Sequence, residues 1–187
     1  TDNLKLGTGI CLVAQRHPIH TAKEVASVDA LSGGRFLFGI GYGWNKEEMA
    51  QHGTAYTERR AILRENILAM KELWTKDEAS FSGEHVNFSS SWSWPKPAQA
   101  GGPPVILGGA AGPKTAAHIA EFCDGWMPIH GRRGDVVDRL PALRQAWEEA
   151  GREPAALQLG VFGCPPKAEV IERYREAGFT RCVLGLP

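Results

Sequence analysis

The sequence predicts an α/β protein with a mostly parallel sheet. Three observations carry that expectation. Short apolar runs alternate with helical patterns along the 187 residues. Several runs are continuously apolar, as in strands buried on both faces. Glycine-rich clusters stand at the ends of these runs, where parallel α/β sheets and barrels bind ligands.

The first element is Leu4 to Leu12, a short apolar run bounded by turn signals, read as a buried strand. Ile19 to Leu31 reads as a helix that Ser32-Gly33-Gly34 stops. Arg35 to Gly41 is the second strand. Thr57 to Trp74 is the longest helix, with an apolar stripe of Ile62, Leu63, Ile67, Met70, Leu73 and Trp74 at helical spacing. Ala79 to Phe88 is extended around a Gly83-Glu84 turn. Ser89 to Pro104, rich in Ser, Pro, Gly and Trp, reads as a long surface loop, and loops of that length are often functional. Regular alternation follows: strands at Val105–Gly108, Gly125–Ile129, Leu157–Phe162 and Arg181–Leu186, and helices at Pro113–Phe122, Asp135–Ala150 and Pro166–Ala177.

Six strands with five helices between them fit two architectures. One is a complete open doubly wound sheet. The other is a (β/α)₈ barrel lacking two units, since six units here average about 31 residues and eight would give about 250, the usual barrel size. The chain starts at Thr1 and both ends run into strand-like segments, so a fragment of a longer protein is expected.

Composition bounds the function. Hydrophobic residues make up 43% and charged residues 22%, a globular profile. Lys+Arg and Asp+Glu are both 21, so net charge gives no reason to expect nucleic acid or an anionic membrane as partner. No apolar run approaches the ~20 residues of a membrane span, and no signal peptide pattern opens the chain. Cys11, Cys123, Cys164 and Cys182 are scattered, with no CxxC pair and no metal cluster, as in a cytoplasmic protein with reduced thiols. Cys11 and Cys182 lie in apolar runs and read as small core residues.

Three glycine-rich strand ends carry the chemical signal. Gly7-Thr8-Gly9 marks a bulge or a close backbone approach by a ligand, or else tight helix packing. Gly39-Ile40-Gly41-Tyr42-Gly43-Trp44, leading to Glu47, fails the GxGxxG dinucleotide fingerprint, because Trp44 or Lys46 stands where the third glycine belongs. It leaves a glycine-lined mouth beside aromatic rings, suited to a flat cofactor. Gly108-Gly109-Ala110-Ala111-Gly112-Pro113 joins a strand to a helix start, a ready anion site. His130 follows the Trp126 strand on the presumed ligand face, in position for acid–base work or cofactor contact. His17 lies in the loop after the first strand, and His20, His52, His85 and His118 read as solvated or structural.

These segments resemble the luciferase-like monooxygenase superfamily, especially its deazaflavin-dependent branch. The resemblance is carried by Leu6-Gly7-Thr8-Gly9 with Gln15-Arg16-His17-Pro18, by Ala30 through Glu48, by Trp94-Pro95-Lys96-Pro97 with Pro103 through Gly109, and by Cys123-Asp124-Gly125-Trp126. It implies a (β/α)₈ barrel of which strands three to eight are present and the first two βα units are absent. On that reading residues 1–187 form one partial barrel domain with a lid-like insertion around 79–104.

The same resemblance implies a bulge at Thr8, Gly9 and Ile10 under the cofactor ring, often with a non-prolyl cis peptide. Gly41, Gly43 and Glu47 map to the next strand's wall. Gly109, Ala110, Ala111 and Gly112 map to the phosphate contacts, although many relatives carry Asn-Ser where this chain has Ala110-Ala111. The family's catalytic histidine, where one is assigned, lies in the absent part, so no catalytic residue carries over. The implied cofactor is coenzyme F420, a deazaflavin, with FMN as the alternative. The implied activity is hydride transfer on a small organic substrate. The alternatives are an FMN-dependent monooxygenase and a truncated, non-catalytic flavin-binding barrel. A homodimer is the expected assembly.

Overall fold

The computed structural model of the chain describes residues 2–110, 112–132 and 134–185. They form two compact units, Thr1–Pro104 and Val105–Pro187.

In the first unit the chain runs β1 (Leu6–Gly7), α1 (Pro18–Leu31), β2 (Phe36–Ile40), α2 (Lys46–Gln51), α3 (Arg59–Thr75), β3 (Ala79–Ser82) and β4 (Asn87–Ser91). β1 pairs with β2 in parallel, Leu6 opposite Phe36 and Gly7 opposite Leu37. The core gathers Ala22 and Val25 of α1, Phe36, Phe38 and Ile40 of β2, and Leu63, Ile67, Met70 and Trp74 of α3, all buried. The Trp74 indole N–H donates to the Ala22 carbonyl at 2.9 Å and ties α3 to α1. β3 and β4 form an antiparallel hairpin. Its turn is fastened to α3 by the Glu65 carboxylate, which accepts the backbone N–H groups of Glu84, His85 and Val86 at 3.0, 2.7 and 3.0 Å. Burial pushes the Glu65 carboxyl up, but those three donors outweigh it and hold the group below its ordinary value.

The segment after the hairpin is only partly free. Trp92 and Trp94 are exposed. Beyond them Lys96 donates to the Leu73 carbonyl at 2.8 Å. The Gln99 backbone and amide N–H groups donate to the buried Asp29 carboxylate at 2.9 and 2.7 Å.

The second unit repeats strand and helix: β5 (Val105–Gly108), α4 (Pro113–Phe122), β6 (Gly125–Met127), α5 (Leu140–Glu149), β7 (Gln158–Cys164), α6 (Ala168–Glu176) and β8 (Arg181–Leu184). Neighbouring strands β5–β6, β6–β7 and β7–β8 are all parallel. Their core is Val105, Leu107, Ile119, Phe122, Trp126, Leu143, Trp147 and Val161. Arg152 closes one corner. Its guanidinium lies 3.7 Å from the Trp147 ring centre, donates to the Cys123 carbonyl just past α4, and pairs with Asp124 at 3.2 Å.

Four expectations change. The first strand is two residues long, not nine, and the apolar runs at both ends are half-open: Leu4, Leu6, Ile10, Val183 and Leu184 are exposed. Within its unit each end strand has a partner on one side only, so its side chains lack a second covering neighbour. Cys11 and Cys182 sit on these segments and are half-buried, whereas Cys123 and Cys164 are the buried thiols. α2 was not expected. The helix expected from Asp135 is a 3-10 turn at Val137–Arg139 followed by α5. Leu186, at the end of the expected last strand, lies outside the described residues.

Candidate functional site

Around β1 and β2, the Thr8–Ile10 segment leaves the ladder and rejoins it at Cys11. Cys11 N–H donates to the Gly39 carbonyl at 2.8 Å, and Gly41 N–H to the Cys11 carbonyl at 3.2 Å. The Thr8 hydroxyl pins the bulge by donating to the Gly39 carbonyl at 2.7 Å. The Gly9–Ile10 peptide is cis, where the resemblance implied such a bond. Gly9 and Ile10 are exposed and Thr8 is half-buried.

The glycines of β2 answer to this bulge. A Cβ at Gly39 would lie 1.9 Å from the Thr8 carbonyl oxygen, and one at Gly41 would lie 2.4 Å from Ile10 Cδ1. Gly39 and Gly41 therefore let the bulge sit down on β2. Gly43 has φ +79°, and a Cβ there would lie 3.3 Å from Met49 Sδ. α2 begins three residues later, at Lys46. Its N-cap Asn45 accepts the Glu48 N–H at 3.2 Å, and Glu47 stands exposed in its first turn. Arg60 covers the Tyr42 ring at 4.0 Å, while Trp44 is exposed.

The anion-site candidates all belong to the second unit. Gly109 has φ +119°, a conformation glycine tolerates, and its carbonyl accepts the Trp126 indole N–H at 2.8 Å. Ala110 is exposed and accepts the Gly112 N–H at 3.0 Å. Gly112 is the N-cap of α4, with Pro113 behind it and no side-chain cap. Its φ of −90° admits any residue, and a Cβ there meets no atom within 4 Å. The start of α4 thus has no side-chain cap and is open on the Gly112 side, while the Thr115 and Ala116 N–H groups both donate to the Gly112 carbonyl at 2.9 Å. Ala111 lies outside the described residues.

His130 is half-buried beyond β6, and its Nδ1 lies 2.9 Å from the Tyr174 hydroxyl. Burial first, then the negative charge of Asp135, holds the Tyr174 phenol above its ordinary value. Asp135 is itself held low, chiefly by the Val137 N–H and also by its ion pair with Arg173.

Sequence reasoning placed Gly39 in a glycine-rich strand end without finding its role, and did not single out Asn45 as a cap or Tyr174. Asn45 had a signal, an N-cap residue three before Glu48 at a helix start. Gly39 and Tyr174 act through partners 31 and 44 residues away in sequence.

Comparison with known proteins gives these features a family. A family model described as luciferase-like monooxygenase matches residues 1–180, and the chain belongs to that family. A Mycobacterium tuberculosis protein whose name assigns no activity is 39% identical over 191 residues, covering 100% of this chain and 65% of its own length. The F420-dependent hydroxymycolic acid dehydrogenase of Mycobacterium tuberculosis is 32% identical, over 84% of this chain and 43% of that protein. The chain thus spans less than two thirds of the length of these curated relatives. Among solved structures, an F420-dependent secondary alcohol dehydrogenase with an F420–acetone adduct superimposes with a TM-score of 0.79 at 19% identity, over 97% of this chain and 73% of that one. The oxygenating component of a diketocamphane monooxygenase of Pseudomonas putida, in complex with FMN, gives 0.68 at 18%, over 92% and 52%. At these identities the structural likeness shows the α/β fold of such enzymes and nothing finer. Among the described residues no helix is long and apolar enough to cross a membrane.

Proposed function

We propose that this chain is the greater part of an F420-dependent oxidoreductase acting on a small organic substrate. The observation that carries the reading is the shared cofactor of its named relatives. The hydroxymycolic acid dehydrogenase and the glucose-6-phosphate dehydrogenases at 30–32% identity are all F420-dependent by name. On this reading the six-strand alternation corresponds to strands three to eight of a (β/α)₈ barrel, and the greater length of the relatives supports further units outside this sequence.

Each unit by itself offers a feature such a cofactor needs. Thr8, Gly9 and Ile10 offer an exposed backbone platform for a flat ring, held by the Thr8–Gly39 hydrogen bond. Gly41, Gly43 and Glu47 line the neighbouring strand end. In the second unit Gly109, Ala110 and Gly112, with Ala111, would take a phosphate at the uncapped start of α4. When bound, F420 supplies a hydride-carrying ring carbon in the place of flavin N5. The chain's own residues bind, orient and exclude water, and Trp92 and Trp94 at the free end of the hairpin segment are the proposed lid. A second copy of the chain is the proposed protein partner.

An FMN-dependent monooxygenase is the second reading, favoured by the FMN-bound structural neighbour. Separate fluorescence titrations with F420 and FMN distinguish the two. Saturable F420 binding, weakened tenfold or more by Gly112→Val with no change in the unfolding midpoint, is the expected result. Tighter binding of FMN moves the reading to the monooxygenase. A folded chain that binds neither overturns the proposal for this chain.

A further inference from the structure

We infer that the first unit carries a second binding site, for a small carboxylate with an apolar body. A cavity of about 270 Å³ opens between the start of α1, the middle of α3 and the hairpin turn. Arg16, His17 and His85 supply its polar wall, and Ile19, Ile62 and Phe88 its apolar one. No carboxylate is among its lining residues. This pairing of cationic or N–H donor groups with apolar surface matches a carboxylate on a hydrophobic ring or chain. The volume falls just below the ~300–1,000 Å³ of common ligand pockets, which selects a small molecule over a dinucleotide or flavin.

The backbone of the walls is held before any ligand arrives. Asn66 donates from Nδ2 to the Val13 and Arg16 carbonyls at 2.8 and 3.3 Å, so the Arg16 backbone is held against α3. Glu65 holds the His85 backbone from behind, its oxygens occupied by the N–H groups of the turn. The Arg16 guanidinium meets Glu24 at 3.5 Å, with both side chains more than half exposed at 53% and 65%. At that length and exposure the pair is weak, so a carboxylate ligand can compete for the guanidinium. Preorganised walls reduce the ordering cost of binding. The site lies wholly within the first unit and does not rest on the cofactor reading.

Benzoate and its neutral near-isostere benzamide are the probes, each titrated into the full chain and followed by ligand-observed NMR. Saturable benzoate binding is expected, with benzamide at least tenfold weaker. Arg16→Gln and His85→Gln should each weaken benzoate several-fold and leave benzamide unchanged, with unfolding midpoints retained because the Arg16 side chain is exposed and His85 is anchored through its backbone N–H. Equal binding of the two probes to the unaltered chain overturns the proposal, as does the absence of saturable benzoate binding at millimolar concentration. Benzoate binding that survives Arg16→Gln unchanged overturns it as well. Failure of F420 to bind would alter none of these outcomes.

Discussion

At the scale of the residue, Gly39 and Glu65 make opposite demands. Gly39 is defined by what it lacks, since any Cβ would strike the Thr8 carbonyl oxygen at 1.9 Å. Gly39→Ala is expected to cost at least the ~1–3 kcal/mol of an overpacked core, read from urea unfolding. Gly112→Val, with open space at its Cβ, should stay within about 0.5 kcal/mol of the parent in the same assay. Glu65 is defined by charge. Its folded-state pKa is lowered, so the stability it adds is present above the unfolded value of about 4.3 and is lost as pH falls through the lower folded value. The gap in unfolding midpoint between the parent and Glu65→Gln should therefore be full at neutral pH and close in acid. A gap that widens on acidification would contradict the assignment.

At the scale of the element, what the sequence disclosed follows the range of the forces involved. Pro113–Phe122 was legible residue for residue, because a proline near the first turn and an apolar period are local signals. β2 was legible because it is continuously apolar and buried. The end strands were misread because an apolar run shows what a strand is able to bury, not whether a neighbour covers it. The glycine-rich strand ends were found, but the reason for Gly39 lies in a bulge 31 residues away that no window contains. α2 is short, and its cap is a measurable part of it: Asn45→Ala should lower stability by about 1 kcal/mol. Arg152 is the corresponding lock in the second unit, joining the end of α4, Asp124 and Trp147. Arg152→Ala should cost about 1.5–3 kcal/mol in urea unfolding, and Arg152→Lys should recover only part, since an ammonium group does not reproduce the planar fork.

At the scale of the whole molecule, the balance of 21 basic and 21 acidic residues leaves no net repulsion between copies near neutral pH. Light scattering should show the greatest self-association near neutral pH and low salt, falling as pH is moved to either side. The family was legible across the chain because its glycine- and proline-bearing segments are spread from Leu6 to Trp126. The cofactor's identity was legible only through relatives, since a flat ring and a phosphate ask for similar backbone in either chemistry. The anchoring of the hairpin bears on how such a chain changes over generations. Three main-chain N–H groups end on the one Glu65 carboxylate, so the attachment does not depend on which side chains residues 84–86 carry. Drift at His85 is free to retune what the adjoining hollow accepts while the wall itself stays in place, and selection for a new ligand need not endanger the fold.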